Sequence, residues 1–137
     1  MNTTDTNYKR FIILYVDDER NSLDSLKMAL EDTFTVLNAT NAADGYRILE
    51  EHQGAIGVLM TDQRMPGESG TQLLEKARAL KPGIVRILAT AYSDIAAAID
   101  AVNSGAIYRY VSKPWDVRDL EITLKRALEF FTLQRER

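Results

Sequence analysis

No cysteine occurs in the 137 residues, and proline (three), histidine (one) and tryptophan (one) are scarce. Without cysteine there is no disulfide framework and no thiolate-held metal, a composition compatible with a reducing, cytoplasmic setting. The lone histidine, His52 in "EEHQG", cannot build a histidine-rich metal site by itself and reads as an exposed helix-terminal residue. No apolar run approaches the length of a membrane span, and the polar opening "MNTTDTNYKR" lacks the apolar stretch of a secretory signal, so no membrane partner is expected. With 17 basic against 20 acidic residues, a net charge of -3, the chain has no basic field, and direct nucleic-acid binding is not expected. A glycine-rich phosphate loop after the first apolar segment is also missing, which argues against nucleotide binding.

What the sequence does contain is hydrophobic residue, 45% of the total, enough for one buried core and one domain. Five short apolar segments recur: "FIILYV" (11–16), "FTVLNA" (34–39), "AIGVLM" (55–60), "IVRILA" (84–89) and "AIYRYV" (106–111). Between them apolar residues return at helical spacing. Leu23, Leu26, Met28 and Leu30 mark the first such stretch; Ala42, Tyr46 and Leu49 the second; Leu73, Leu74, Ala77 and Leu80 the third; Ile95, Ala98, Ile99 and Val102 the fourth. The last runs from about Val117 through Leu120, Leu124, Ala127 and Phe131. Ser69 is placed to cap the third helix, Pro82-Gly83 to stop it and Gly105 to close the fourth.

Five alternations of strand and helix predict an α/β fold, a doubly wound parallel sheet of five strands with five helices. The first, third and fourth strands are nearly continuous apolar runs and belong in the doubly covered centre, while the more polar second and fifth suit the edges. With right-handed crossovers these assignments give the flavodoxin-like order 2-1-3-4-5, with a topological switch point between strands one and three. Residues 1–8 read as a polar tail, 9–130 as the folded domain, and 131–137 as an extension of the last helix, a possible linker to an output domain. The adjacent Phe130 and Phe131 suggest that this helix continues further.

In such sheets ligands bind beyond the carboxyl ends of the strands. Those ends carry chemistry here: Asp17 and Asp18 after the first strand, Asp62 after the third, Thr90 at the fourth, and Lys113 after a two-residue exit from the fifth. Carboxylates about 4–6 Å apart repel by roughly 2–4 kcal/mol per pair at an effective dielectric near 20, so a cation is expected among them. Hard oxygen ligands without histidine or cysteine select Mg²⁺ or Mn²⁺. Lys113 adds a point charge suited to a phosphate, and one acid left free to attack completes the parts for phosphoryl transfer to a carboxylate. Glu19 extends the acidic run, equally well explained as a first-turn acid that complements its helix dipole.

With "YVDDE" at the first strand, "TDQRMPGESG" at the third, "LATAYS" at the fourth and "YRYVSKPW" at the fifth, the sequence resembles the receiver domains of bacterial two-component response regulators over about residues 9–130. The resemblance implies that Asp62 is the phosphoacceptor and that Asp17, Asp18, Asp62 and the backbone carbonyl of Arg64 hold Mg²⁺, with Asp18 the more direct ligand of the first pair. It implies that Thr90 and Lys113 bond phosphoryl oxygens, that Tyr110 is the switch aromatic, and that the bond before Pro114 is cis. Ala91 matches the small residue that leaves the phosphoryl group accessible, whereas Arg64 and Tyr92 flank the site as bulky neighbours and Trp115 replaces the usual Phe. The implied partners are a sensor histidine kinase or phosphotransfer protein, an output domain or partner protein, and a second receiver docked through helix four, strand five and helix five. The implied catalysis is confined to the domain's own Asp phosphorylation and dephosphorylation. Two other readings compete: a receiver-like interaction module that takes no phosphate, which would be expected to lack one of the site residues, and a haloacid-dehalogenase-type phosphatase, whose Asp-x-Asp pattern the first strand does not match.

Overall fold

The computed structural model describes residues 7–91, 94–105 and 107–135. Five strands, β1 (Ile12–Val16), β2 (Thr35–Ala39), β3 (Ile56–Asp62), β4 (Val85–Ala91) and β5 (Arg109–Lys113), alternate with five helices, α1 (Arg20–Leu30), α2 (Ala42–Glu51), α3 (Gly70–Leu80), α4 (Ile95–Asn103) and α5 (Val117–Arg135). All four strand pairings are parallel and the order is β2-β1-β3-β4-β5, as expected from the edge polarity and the crossover rule.

Alternation along the strands divides the core in two. Ile13 and Tyr15 of β1, Val58 and Met60 of β3, and Ile87 and Ala89 of β4 point to one face, where Leu23, Leu26 and Leu30 of α1 meet Leu120, Leu124, Ala127, Leu128 and Phe131 of α5. Leu14, Val16, Leu59 and Leu88 point to the other, against α2, α3 and α4. Both faces of the central strands are therefore dry, which explains their unbroken apolar runs.

Local signals stop the helices where the sequence places the stops. Ser69 makes a full capping box with Gln72 at the start of α3, and Gly105 takes φ +79° just past α4, a conformation that costs glycine nothing. Three expectations need correction. Met28 is 75% exposed, because the core stripe of α1 runs through Leu23, Leu26 and Leu30 and leaves Met28 on the opposite side. Ile99 is likewise exposed, since α4 buries the smaller Ala98 and Ala101 against the sheet. Lys113 is the last residue of β5, paired with Ala91, and β5 begins at Arg109 rather than near residue 106. No helix among the described residues is long and apolar enough to cross a membrane.

Candidate functional site

The register of the sheet assembles the site. Val16 pairs with Thr61, Asp62 with Ala89 and Ala91 with Lys113, so the residues at the carboxyl ends of β1, β3, β4 and β5 form one rim. Oxygens of Asp17, Asp18 and Asp62 all lie within 4.8 Å of one another. The three acids differ in environment: Asp17 is fully buried, Asp18 exposed, and Asp62 between the two. Lys113 Nζ sits 2.7 Å from Asp17 Oδ2 and 3.6 Å from Asp62 Oδ1, bridging the first and third strands from the fifth.

The charges set one another's basicity. Burial raises the Asp62 carboxyl above its ordinary value; Lys113 and the Gln63 amide pull it back, while Asp17 and Asp18 push the same way as burial. Burial alone would lower Lys113, but the hydrogen bond and charge of Asp17, with the charges of Asp62 and Glu19, outweigh it and hold the ammonium above its usual range. A raised carboxylate beside a firmly protonated lysine is an anion cluster that is short of positive charge. Mg²⁺ takes oxygens at about 2.0–2.1 Å, which puts ligand oxygens of one sphere roughly 3–4 Å apart. The observed donor set is all carboxylate oxygen within 4.8 Å, the hard-oxygen chemistry such an ion takes.

Thr90 is fully buried on β4, one residue beyond the Ala89 that pairs with Asp62, and its hydroxyl donates to the Ala91 carbonyl at 3.2 Å. Ala91 is exposed at the strand end. The Lys113–Pro114 peptide is cis. Tyr110 is half-buried against the core face that carries α4, and the Trp115 ring packs edge-on to Tyr15, centroids 5.9 Å apart, on the other face. The Arg64 side chain makes a two-pronged pair with Asp94, Nε–Oδ2 2.8 Å and Nη2–Oδ1 2.7 Å, which lowers the Asp94 carboxyl through that hydrogen bond. Tyr92 lies outside the described residues.

A family model for the response regulator receiver domain matches residues 13–125, a span that contains every one of these rim residues. The chain belongs to that family. Among curated relatives, the hydrogenase transcriptional regulatory protein HoxA of Bradyrhizobium diazoefficiens is 39% identical over 90% of this chain and 25% of its own length. Two solved structures are similar over almost their whole chains: a response regulator receiver domain protein from Clostridium thermocellum, at 34% identity and a TM-score of 0.85 over 90% of this chain and 98% of that one, and the signal receiver domain of an HD domain-containing protein from Pseudomonas fluorescens Pf-5, at 31% identity and 0.85 over 99% of both. This receiver thus spans about a quarter of the length of the HoxA relative.

One residue of the receiver's site escaped the sequence reading. Tyr15, fully buried, donates its hydroxyl to Asp17 Oδ2 at 2.5 Å, and burial followed by that hydrogen bond raises the phenol far above its ordinary value, so it stays a neutral donor. With Lys113 on the same oxygen and the Glu19 amide donating to Oδ1 at 2.9 Å, Asp17 accepts three protein donors, two on Oδ2 and one on Oδ1, which leaves Oδ1 room for a further partner. Asp18 and Asp62 keep oxygens toward solvent. In the sequence Tyr15 passes for one more core position; the only signal was a hydroxyl two residues before a buried acid, on the same side of the strand.

Proposed function

We propose that this receiver accepts a phosphoryl group on Asp62 from a phosphohistidine on a sensor kinase or phosphotransfer protein. The observation that carries this reading is the Asp62 carboxylate, partly open to solvent, lying between Lys113 and two further carboxylates that converge within 4.8 Å. Asp17, Asp18, Asp62 and the Arg64 carbonyl would hold Mg²⁺, Asp18 more directly than the more heavily bonded Asp17, and the ion would supply charge neutralisation for the transferring phosphoryl oxygens.

An oxygen of Asp62 attacks phosphorus in line while the phosphorus–nitrogen bond of the donor breaks; the imidazole nitrogen keeps the bonding pair and takes up a proton. Lys113 follows the developing charge by exchanging part of its contact with Asp17 for a phosphoryl oxygen. Asp17 tolerates that exchange because Tyr15 and the Glu19 amide stay bonded to it. The Thr90 hydroxyl leaves the Ala91 carbonyl for another phosphoryl oxygen, and Tyr110 turns into the space it vacates. The change surfaces on α4, β5 and α5, where Tyr108 stacks on Phe130 at 5.4 Å and Ile99, Ile122 and Leu133 lie exposed. That face docks an output domain, a partner protein or a second receiver. The transcriptional regulators among the curated relatives favour a DNA-binding output elsewhere in a longer chain, with this segment itself making no nucleic-acid contact.

Incubation with acetyl phosphate and Mg²⁺ tests the chemistry: intact mass should rise by one phosphoryl group, and hydroxylamine should remove it. A mass unchanged after prolonged incubation refutes the reading. The metal has its own reporter. Trp115 is the sole tryptophan, and Lys113 Nζ lies 5.9 Å from its ring while bonded to Asp17. Adding Mg²⁺ redistributes the charge around that ammonium, so the emission should change saturably in the wild type and remain flat in Asp18→Asn. A wild-type emission that stays constant at saturating Mg²⁺ removes the link between the metal and Lys113.

A further inference from the structure

Asn41 and Ser69 start α2 and α3 in the way good capping residues do, with extended backbones and side-chain oxygens that accept from the amides of Asp44 and Gln72. Asp94 occupies the same position of α4 and is an equally good capping type, yet its backbone sits at φ -108°, ψ 12° and its carboxylate bonds no amide of the helix. Both of its oxygens are taken by Arg64.

That pair links two segments that matter. Arg64 follows Asp62 by two residues on the loop after β3, and Asp94 follows Thr90 by four at the start of α4. The Arg64 side chain is 76% exposed, and it borders an open recess of ≈ 540 Å³ together with Gln63, Met65, Pro66, Ser69 and Asp94, so its guanidinium can swing without unpacking the core. The Arg64 end of the pair is open to solvent although the Asp94 side chain is only 15% exposed, so solvent screens the guanidinium and a competing anion of higher charge can draw it away. A phosphoryl group offers about -1.5 to -2 charge and three acceptor oxygens, in a geometry the guanidinium fork fits as well as it fits a carboxylate.

We infer that Arg64 is a charge-exchange arm: in the unmodified receiver it holds Asp94 away from α4, and a phosphoryl group on Asp62 takes over the guanidinium and releases Asp94 to cap the helix. Arg64 touches the phosphoryl group directly in this scheme, Asp94 is a positioning residue that acts through it, and together they carry the modification to α4 by a route separate from Thr90 and Tyr110. The inference rests on the phosphoacceptor reading of Asp62.

Beryllofluoride at saturating Mg²⁺ is the probe, its binding followed by ¹⁹F NMR in the wild type, Asp94→Asn, Arg64→Gln and the double variant, each first shown to be folded by circular dichroism. Asp94→Asn removes the competitor and should bind about three-fold tighter, within the net worth of an exposed pair. Arg64→Gln should bind more weakly than the wild type, and in that background Asp94→Asn should change nothing. Asp94→Glu keeps the pair and should return to wild-type affinity, and the gain of Asp94→Asn should fade near 1 M salt, where the screening length is about 3 Å. Unaltered affinity in Asp94→Asn overturns the exchange, as does a gain that persists without Arg64, since removal of an acidic charge alone would then explain it. A wild type that binds no beryllofluoride sinks the phosphoacceptor reading and this inference together; binding without coupling sinks the inference alone.

Discussion

Asp62→Asn should leave the receiver folded and abolish phosphoryl uptake from acetyl phosphate, with no mass increase detectable. The amide lacks the anionic oxygen that the proposed reaction uses to attack phosphorus, and neither neighbouring acid should replace it. Asp17 is buried and already accepts from Tyr15, Lys113 and the Glu19 amide, and Lys113, the cation that would meet a phosphoryl oxygen, contacts Asp17 and Asp62. The same variant should be more stable than the wild type in EDTA at neutral pH. A carboxyl whose folded pKa lies above its unfolded one penalises the native state once it ionises, and Asp62 is raised by burial and by its acidic neighbours. Below the unfolded value the group is protonated in both states and the penalty vanishes. The stability gap between variant and wild type should therefore be full at pH 7 and close as pH falls through the raised pKa of Asp62, measured as urea midpoints across the range. Labelling that survives in Asp62→Asn assigns the nucleophile elsewhere; a stability gap of opposite sign contradicts the electrostatics of the rim.

Gly70→Ala should cripple the site without touching a polar group. Gly70 opens α3 against the end of β3, where its amide donates to the Gln63 carbonyl at 3.0 Å. A Cβ there would lie 2.2 Å from the Asp62 carbonyl oxygen, 2.9 Å from its carbon and 3.1 Å from Gln63 Cα. All three are backbone atoms, so no rotamer change relieves the contact; either α3 backs away or the Asp62 segment moves. We expect a loss of about 3 kcal/mol, at the upper end of overpacking costs, and a Tm lower by roughly 10 °C. Phosphoryl uptake should slow by more than that stability loss explains, because Asp62 and the Arg64 carbonyl lie on the displaced segment. Uptake at the wild-type rate in a folded Gly70→Ala protein would show that this close approach does not position the acid.

The size of that effect was not legible in the sequence, where Gly70 is the last residue of "TDQRMPGESG" and nothing marks how close α3 approaches that segment. Clearances of this kind come from α3 packing against a strand it does not pair with, and no local pattern encodes them. The Arg64–Asp94 pair and the Tyr15–Asp17 hydrogen bond were hidden for related reasons. Arg64 and Asp94 are 30 residues apart and each has a sufficient local explanation, as a loop cation and a helix-start acid. Tyr15 looked apolar because its ring is core; its hydroxyl matters only because Asp17 is folded inward beside it. Met28 misled in the opposite direction, since a helical spacing tolerates an apolar residue beside the stripe without requiring its burial.

The sequence by itself determined the alternation of strands and helices, the central and edge strands, and the convergence of Asp17, Asp18, Asp62, Thr90 and Lys113 on one rim. These follow from periodicity, turn residues and the handedness of crossovers, which are local properties of the chain. Tertiary structure alone decided which acid is buried among donors and which is open, where the Arg64 guanidinium rests, and how tightly α3 presses on the Asp62 segment. Those depend on contacts such as Lys113 to Asp17, 96 residues apart, whose partners are chosen by packing in three dimensions.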